Sequence, residues 1–283
     1  GKASQYTYEN VCIVPGGRSG LSRVAAVIGD VYTCRQQKIL LDIDQVRKDI
    51  VTQGLAVILA SNPRNPTGQV GASKTSRRAT SSRNSFTLVF YSWYIYPEND
   101  KDYGKSVSSA EYIEDVNEDA VVIVDGLTKV PRSFLDGGAN HPLQLAAIPL
   151  LDPARVFEEK VALQKHFKKK RDHVLKRLHD LSLDVDVPPS STFYIWLNLE
   201  RLPAPLNNGL TFFEELLKEQ TIVIPGIFFD INPSHRRNLF NSPCHHFVRL
   251  SFGPPLEDLD KGLDAMARVL KKAKKEGMKA FGH

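Results

Sequence analysis

Cysteine is scarce in this chain. There are three among 283 residues, Cys12, Cys34 and Cys244, scattered along the sequence. They make neither a CxxC pair nor a disulfide framework. This excludes a cystine-stapled secreted scaffold and leaves a reducing, cytoplasmic setting as the expectation. Long apolar runs are absent too, so no stretch is long enough to span a bilayer as a helix, and no membrane partner is expected. The opening residues, Gly1 to Gln5, carry no apolar signal segment and no initiator Met, which fits an excised piece of a longer chain. No Walker A loop, GxGxxG fingerprint or GxSxG elbow is present, which removes the sequence grounds for a P-loop NTPase, a Rossmann dinucleotide enzyme or an α/β-hydrolase. The net charge of +5 comes mainly from local Lys/Arg clusters and implies no nucleic-acid partner.

What is present is an ordinary globular balance, 42% hydrophobic and 24% charged, over a length that suits one large or two medium domains. The most informative stretch is Val121-Val122-Ile123-Val124-Asp125-Gly126-Leu127-Thr128-Lys129. Its run of β-branched residues reads as a strand buried on both faces of a parallel sheet. It ends in a lysine that partial desolvation would hold neutral, the form that attacks an aldehyde. Leu55 to Ala60 and Phe86 to Tyr91 read as further buried strands. The first runs into Ser61-Asn62-Pro63-Arg64-Asn65-Pro66-Thr67-Gly68, a turn that holds Asn65 at the carboxyl end of a strand, where ligands of open α/β sheets bind. Near the start, Glu9 to Val14 reads as a strand. Pro15-Gly16-Gly17-Arg18-Ser19 then leads into a helix, a local pattern that suits either a tight turn or a phosphate cradle of free N–H groups. Gln69 to Asn84 reads as a polar, basic loop, and Ser92 to Ile113 as a long loop rich in aromatics at its start.

Asp152-Pro153 is a good N-cap and first-turn pair for a long helix, with the charge run Lys165 to Arg171 on its solvated face. Beyond Leu181 come strands at Phe193–Leu197, Ile222–Ile224 and Phe247–Phe252, a helix with a capping box at Thr211 and Glu214, and a closing helix with Leu259, Leu263, Met266 and Leu270 on one face. The expected architecture is α/β: a large domain over residues 1–150 with a mostly parallel sheet, and a smaller α+β domain over residues 151–283. Cys244-His245-His246 is read as structural rather than metal-binding, because no second cluster supplies the remaining ligands.

S-N-P-R-N-P-T-G, D-G-L-T-K and V-R-L-S-F-G, in that order, resemble the class I/II aminotransferases, which are fold-type I enzymes that use pyridoxal 5'-phosphate (PLP). P-G-G-R-S-G-L and I-P-G-I-F-F add to the resemblance. It implies an aspartate aminotransferase-like fold, amino acid and 2-oxo acid substrates, and a homodimer. It also implies roles. Lys129 matches the lysine that condenses with the cofactor aldehyde and then shuttles the proton. Asn65 and Tyr91 match the pair on the ring hydroxyl. Gly17 and Arg18 match the phosphate cradle. Arg249 matches the arginine that grips the substrate α-carboxylate, with Asn65 close to the same substrate.

The chain also departs from that pattern. Leu88 stands where the family carries the aspartate that keeps the pyridine nitrogen protonated, and Gly137 stands where it carries a phosphate-binding arginine. Segments near residues 35, 85 and 132 look shortened. Two readings follow. One is a PLP-dependent aminotransferase, or a sister lyase, decarboxylase or racemase on the same fold. The other is a truncated, non-catalytic remnant that partners an intact homologue.

Overall fold

The structure, a computed structural model, describes residues 4–13, 48, 52, 57–61, 63–70, 86–90, 94–106, 108–119, 121–124, 141–230, 238 and 241–280. The chain divides into two compact units, residues 1–64 with 70–164, and residues 65–69 with 165–283.

The first unit contains a three-stranded sheet in the order β1 (Val57–Ser61), β2 (Phe86–Phe90), β3 (Val121–Val124). Both pairings are parallel, and Leu59, Leu88 and Val122 lie in register across them. The parallel arrangement expected from the β-branched runs is therefore the one adopted. The stretch between β2 and β3 contributes to the core: Tyr94, Tyr96 and Ile113 are buried. Gly104 turns there with φ +83, and the Phe157 ring occupies the space a β-carbon would need. The fully buried Gln164 closes this turn. Its Oε1 accepts from Gly104 N at 2.8 Å and its Nε2 donates to Lys105 O at 2.9 Å, so a buried amide is satisfied by backbone.

Residues 8–10 differ from expectation. Tyr8–Asn10 form a single 3-10 turn where Glu9 and Asn10 were expected to begin a strand. The Asn10 side chain accepts from the Thr7 backbone N–H at 2.9 Å, and Val11 and Ile13 stay exposed. A local side-chain bond competes with extended pairing here, as short Asn and Thr side chains do.

Helix α1 (His141–Ala147) and helix α2 (Pro153–Asp180) follow. Asp152 Oδ1 accepts from Arg155 N at 3.0 Å, so the expected N-cap is made. The charge run on α2 holds a surprise. Lys170 is buried, with Nζ donating to Gly253 O at 2.7 Å and lying 5.2 Å from the centre of the Phe167 ring. Burial pushes this amine below its ordinary pKa.

The second unit is built on an antiparallel sheet in the order β4 (Tyr194–Asn198), β6 (Phe247–Ser251), β5 (Ile224–Pro225). Strand period sets its inner face: Ile195, Leu197, Val248 and Leu250 are buried. They share the core with Val174 and Leu178 of α2, Phe212 and Leu216 of helix α3 (Gly209–Lys218), and Leu259, Leu263 and Met266 of helix α4 (Leu256–Ala280). Helix α3 starts earlier than the expected capping box. Asn208 is its N-cap, with Oδ1 accepting from Leu210 N at 2.9 Å and Thr211 N at 3.4 Å, and Thr211 lies inside the first turn. Outside the core, α2 and α4 are joined through Asp260, which meets His173 at 2.7 Å and Arg177 at 2.6 Å.

Candidate carboxylate-binding site

The outer face of the second sheet carries the chemistry. Strand alternation that buries Val248 and Leu250 puts Arg249 on the opposite face, opposite Trp196 on one side and Ile224 on the other. Tyr194 and Trp196 project from β4 on that face, and Phe229 comes from the single 3-10 turn Gly226–Phe229 after β5. The guanidinium carbon of Arg249 lies 4.1 Å from the Tyr194 ring centre and 4.9 Å from that of Phe229. Trp196 braces Phe229 edge-on at 5.5 Å and stacks on Phe247 at 5.1 Å. Rings around a planar guanidinium fix its orientation as well as attract its charge.

Asn65 completes the arrangement. Arg249 Nη1 donates to Asn65 Oδ1 at 2.7 Å. The loop that carries Asn65 is pinned to the segment before β4. Ser191 N and Ser191 Oγ both donate to Gly68 O at 2.9 Å, and Gln69 Nε2 donates to Pro188 O at 3.0 Å. Gln69, read from sequence as the start of a solvated loop, is buried for this reason. Gly68 sits at φ +69, and a β-carbon there would lie 2.5 Å from Pro189 Cβ and 2.8 Å from Ser191 O. Only glycine fits that turn.

The electrostatics of the cluster are unbalanced. Arg249 Nε is buried with no hydrogen-bond partner among the described residues. Burial pushes the Arg249 guanidinium below its ordinary pKa and the Tyr194 hydroxyl above its own. A desolvated guanidinium with an unused donor is an incomplete pair, the kind of group that carboxylates satisfy.

Of the residues singled out in the sequence, Asn65 and Arg249 are brought together. Gly17, Arg18, Tyr91, Lys129 and Gly137 lie outside the described residues. Leu88 is placed in the middle of β2 by its backbone register. At Cys244-His245-His246, His245 Nδ1 donates to Ser242 O and His246 Nδ1 to Asn207 O, both at 2.6 Å. These imidazoles tie loops together. The aromatic surround of Arg249 was not foreseen from sequence, although the alternation Tyr194-x-Trp196 marks one face of a strand.

No family model matches the chain. Among curated proteins it is 25% identical to the aspartate aminotransferase of Pyrococcus abyssi and 23% identical to an aromatic-amino-acid aminotransferase of Thermococcus litoralis, in both cases over 87% of this chain and 64% of the relative. A solved aminotransferase from Mycobacterium tuberculosis superposes with a TM-score of 0.73 at 16% identity, covering 95% of this chain and 78% of that structure. The chain is therefore similar in sequence to aminotransferases and shares its fold with the fold-type I class. The expected aspartate aminotransferase-like fold is the observed one. The aminotransferase-like chain spans about 64% of the length of the curated relatives it matches. Enzymes of this class use PLP. No helix among the described residues is long and apolar enough to cross a membrane.

Proposed function

We propose that Arg249 and Asn65 form the subsite for the α-carboxylate of an amino acid or a 2-oxo acid, on a chain descended from enzymes that pass an amino group between the two. The observation that carries this reading is the Arg249 guanidinium, with one nitrogen on Asn65, another buried without an acceptor among the described residues, and the Tyr194 and Phe229 rings beside it. Each charge-assisted hydrogen bond that a carboxylate makes there contributes roughly 1.5–3 kcal/mol. The remaining roles rest on the resemblance. Lys129 is the nucleophile and proton carrier, Asn65 and Tyr91 hold the ring hydroxyl of PLP, and backbone at Gly17 and Arg18 holds its phosphate. Bound PLP supplies the electron sink that the amino-acid chemistry needs. The setting is cytoplasmic, and the working unit is a pair of subunits, either two copies or one copy with an intact homologue.

Asn65 and Arg249 fit that group and its substrate; Leu88 does not fit the ring nitrogen. Leucine offers no acceptor to hold a pyridinium proton, and its apolar side chain further disfavours the charge. Losing a charge-assisted bond of about 1.5–3 kcal/mol in the transition state slows transfer about ten- to a hundredfold. Leu88 and Gly137 thus favour a second reading, a non-catalytic subunit.

The full chain with PLP, an amino acid and a 2-oxo acid separates the readings by the appearance of new amino acid. Slow transfer is expected, raised about tenfold or more in Leu88→Asp, absent in Lys129→Ala, and with a higher KM in Arg249→Lys. Transfer indifferent to Lys129→Ala and Arg249→Lys contradicts the first reading. No transfer in either the parent chain or Leu88→Asp supports the second.

A further inference from the structure

We propose that Phe229 and Trp196 select, among carboxylates anchored by Arg249, those that carry an aromatic or other apolar side chain. This rests on the reading of Arg249 as a carboxylate anchor. Register assigns the outer face of the second sheet to Tyr194, Trp196 and Asn198 on β4, Ile224 on β5, and Phe247, Arg249 and Ser251 on β6. Arg249 is the only cation among these. The surface next to it is continuous aromatic carbon: Phe229 lies against the guanidinium, Trp196 lies edge-on to Phe229, and Phe247 lies under Trp196. These rings are half-buried, not sealed in the core, so each keeps surface that a ligand can cover.

A molecule whose carboxylate completes the Arg249 pair extends its remaining atoms over that face. An aromatic ring there gains edge or offset contacts with Phe229 and Trp196 and removes apolar surface from water. A second carboxylate would give up hydration against ring carbon that offers no counter-charge, with the Trp196 indole N–H as the one donor among these three rings. Selection therefore comes from two effects of one sign: attraction for the apolar group and a desolvation penalty for the charged one.

The test is calorimetric binding to the full chain in the presence of PLP, with phenylpyruvate, pyruvate and 2-oxoglutarate as probes. Phenylpyruvate is expected to bind at least about tenfold more tightly than 2-oxoglutarate, in keeping with one well-packed aromatic contact. Trp196→Ser and Phe229→Ser should each shrink that preference, weakening phenylpyruvate by a larger factor than pyruvate. Trp196→Leu, which keeps apolar bulk and protects the fold, should retain most of it. Equal or tighter binding of 2-oxoglutarate overturns the inference, as does a preference that survives both serine variants. Arg249→Lys should weaken all three probes together. If it weakens none, or if no probe binds, the carboxylate anchor itself is wrong and the inference falls with it. A non-selective anchor, by contrast, shows Arg249 dependence without phenylpyruvate preference.

Discussion

Replacing Gly68 with alanine perturbs the loop that delivers Asn65 to Arg249. Gly68 occupies φ +69, where a β-carbon costs about 1–2 kcal/mol through its approach to neighbouring backbone. The steric contacts add to that. The new carbon would sit 2.5 Å from Pro189 Cβ, 2.8 Å from Ser191 O and 3.0 Å from Tyr194 O. Two of those atoms are backbone carbonyl oxygens, and Tyr194 belongs to a paired strand, so the neighbours have little room to yield. Overpacking of this kind costs about 1–3 kcal/mol. Gly68→Ala is therefore expected to destabilise by about 2–5 kcal/mol. It should also disturb the two Ser191 bonds to Gly68 O, and with them the 2.7 Å contact between Asn65 and Arg249. Urea unfolding measures the first effect, and the affinity for a 2-oxo acid measures the second. A variant whose stability stays within about 0.5 kcal/mol of the parent, with unchanged affinity, would refute this reading of the turn.

Other expectations come from single contacts. Asn208→Ala should cost about 1 kcal/mol by uncapping α3, whereas Thr211→Ala should change stability by less than about 0.5 kcal/mol, and urea midpoints distinguish the two. Lys170 has its pKa lowered by burial, so between its folded and unfolded values the unfolded chain binds more protons. Stability should then rise with pH as it climbs toward the ordinary lysine value, and Lys170→Met should lose that rise; a parent chain without it would contradict the assignment.

The parallel sheet was legible because runs such as Val121–Val124 are β-branched throughout and flanked by small or polar residues, which leaves little alternative to a strand; the expected burial on both faces is not reached, since Val121, Val122 and Ile123 are only half-buried. The start of α2 was legible because Asp152-Pro153 is a local signal that needs no tertiary support. The turn marked Asn65 as a position at a strand end, but its role and that of Arg249 were legible only through a resemblance, since a loop asparagine and a strand arginine carry no chemistry until folding brings them together. What escaped was decided by tertiary context. Val11 and Ile13 look like strand residues, yet the turn at Tyr8–Asn10 and the absence of burial leave them exposed. Lys170 reads as one more solvated lysine until Gly253 supplies a carbonyl for it. Asn208 outcompeted the Thr211/Glu214 pattern because its side chain reaches the first free N–H groups of the helix. The ring surround of Arg249 joins β4, β6 and the turn after β5, an association that no spacing rule in the sequence encodes.

Reduction with borohydride after incubation with stoichiometric PLP, followed by peptide mapping, tests most directly whether this fold still holds its cofactor at the lysine that the resemblance assigns. One label per chain on Lys129, lost in Lys129→Ala, is the predicted result. Labelling spread over other lysines, or unchanged in Lys129→Ala, would contradict it.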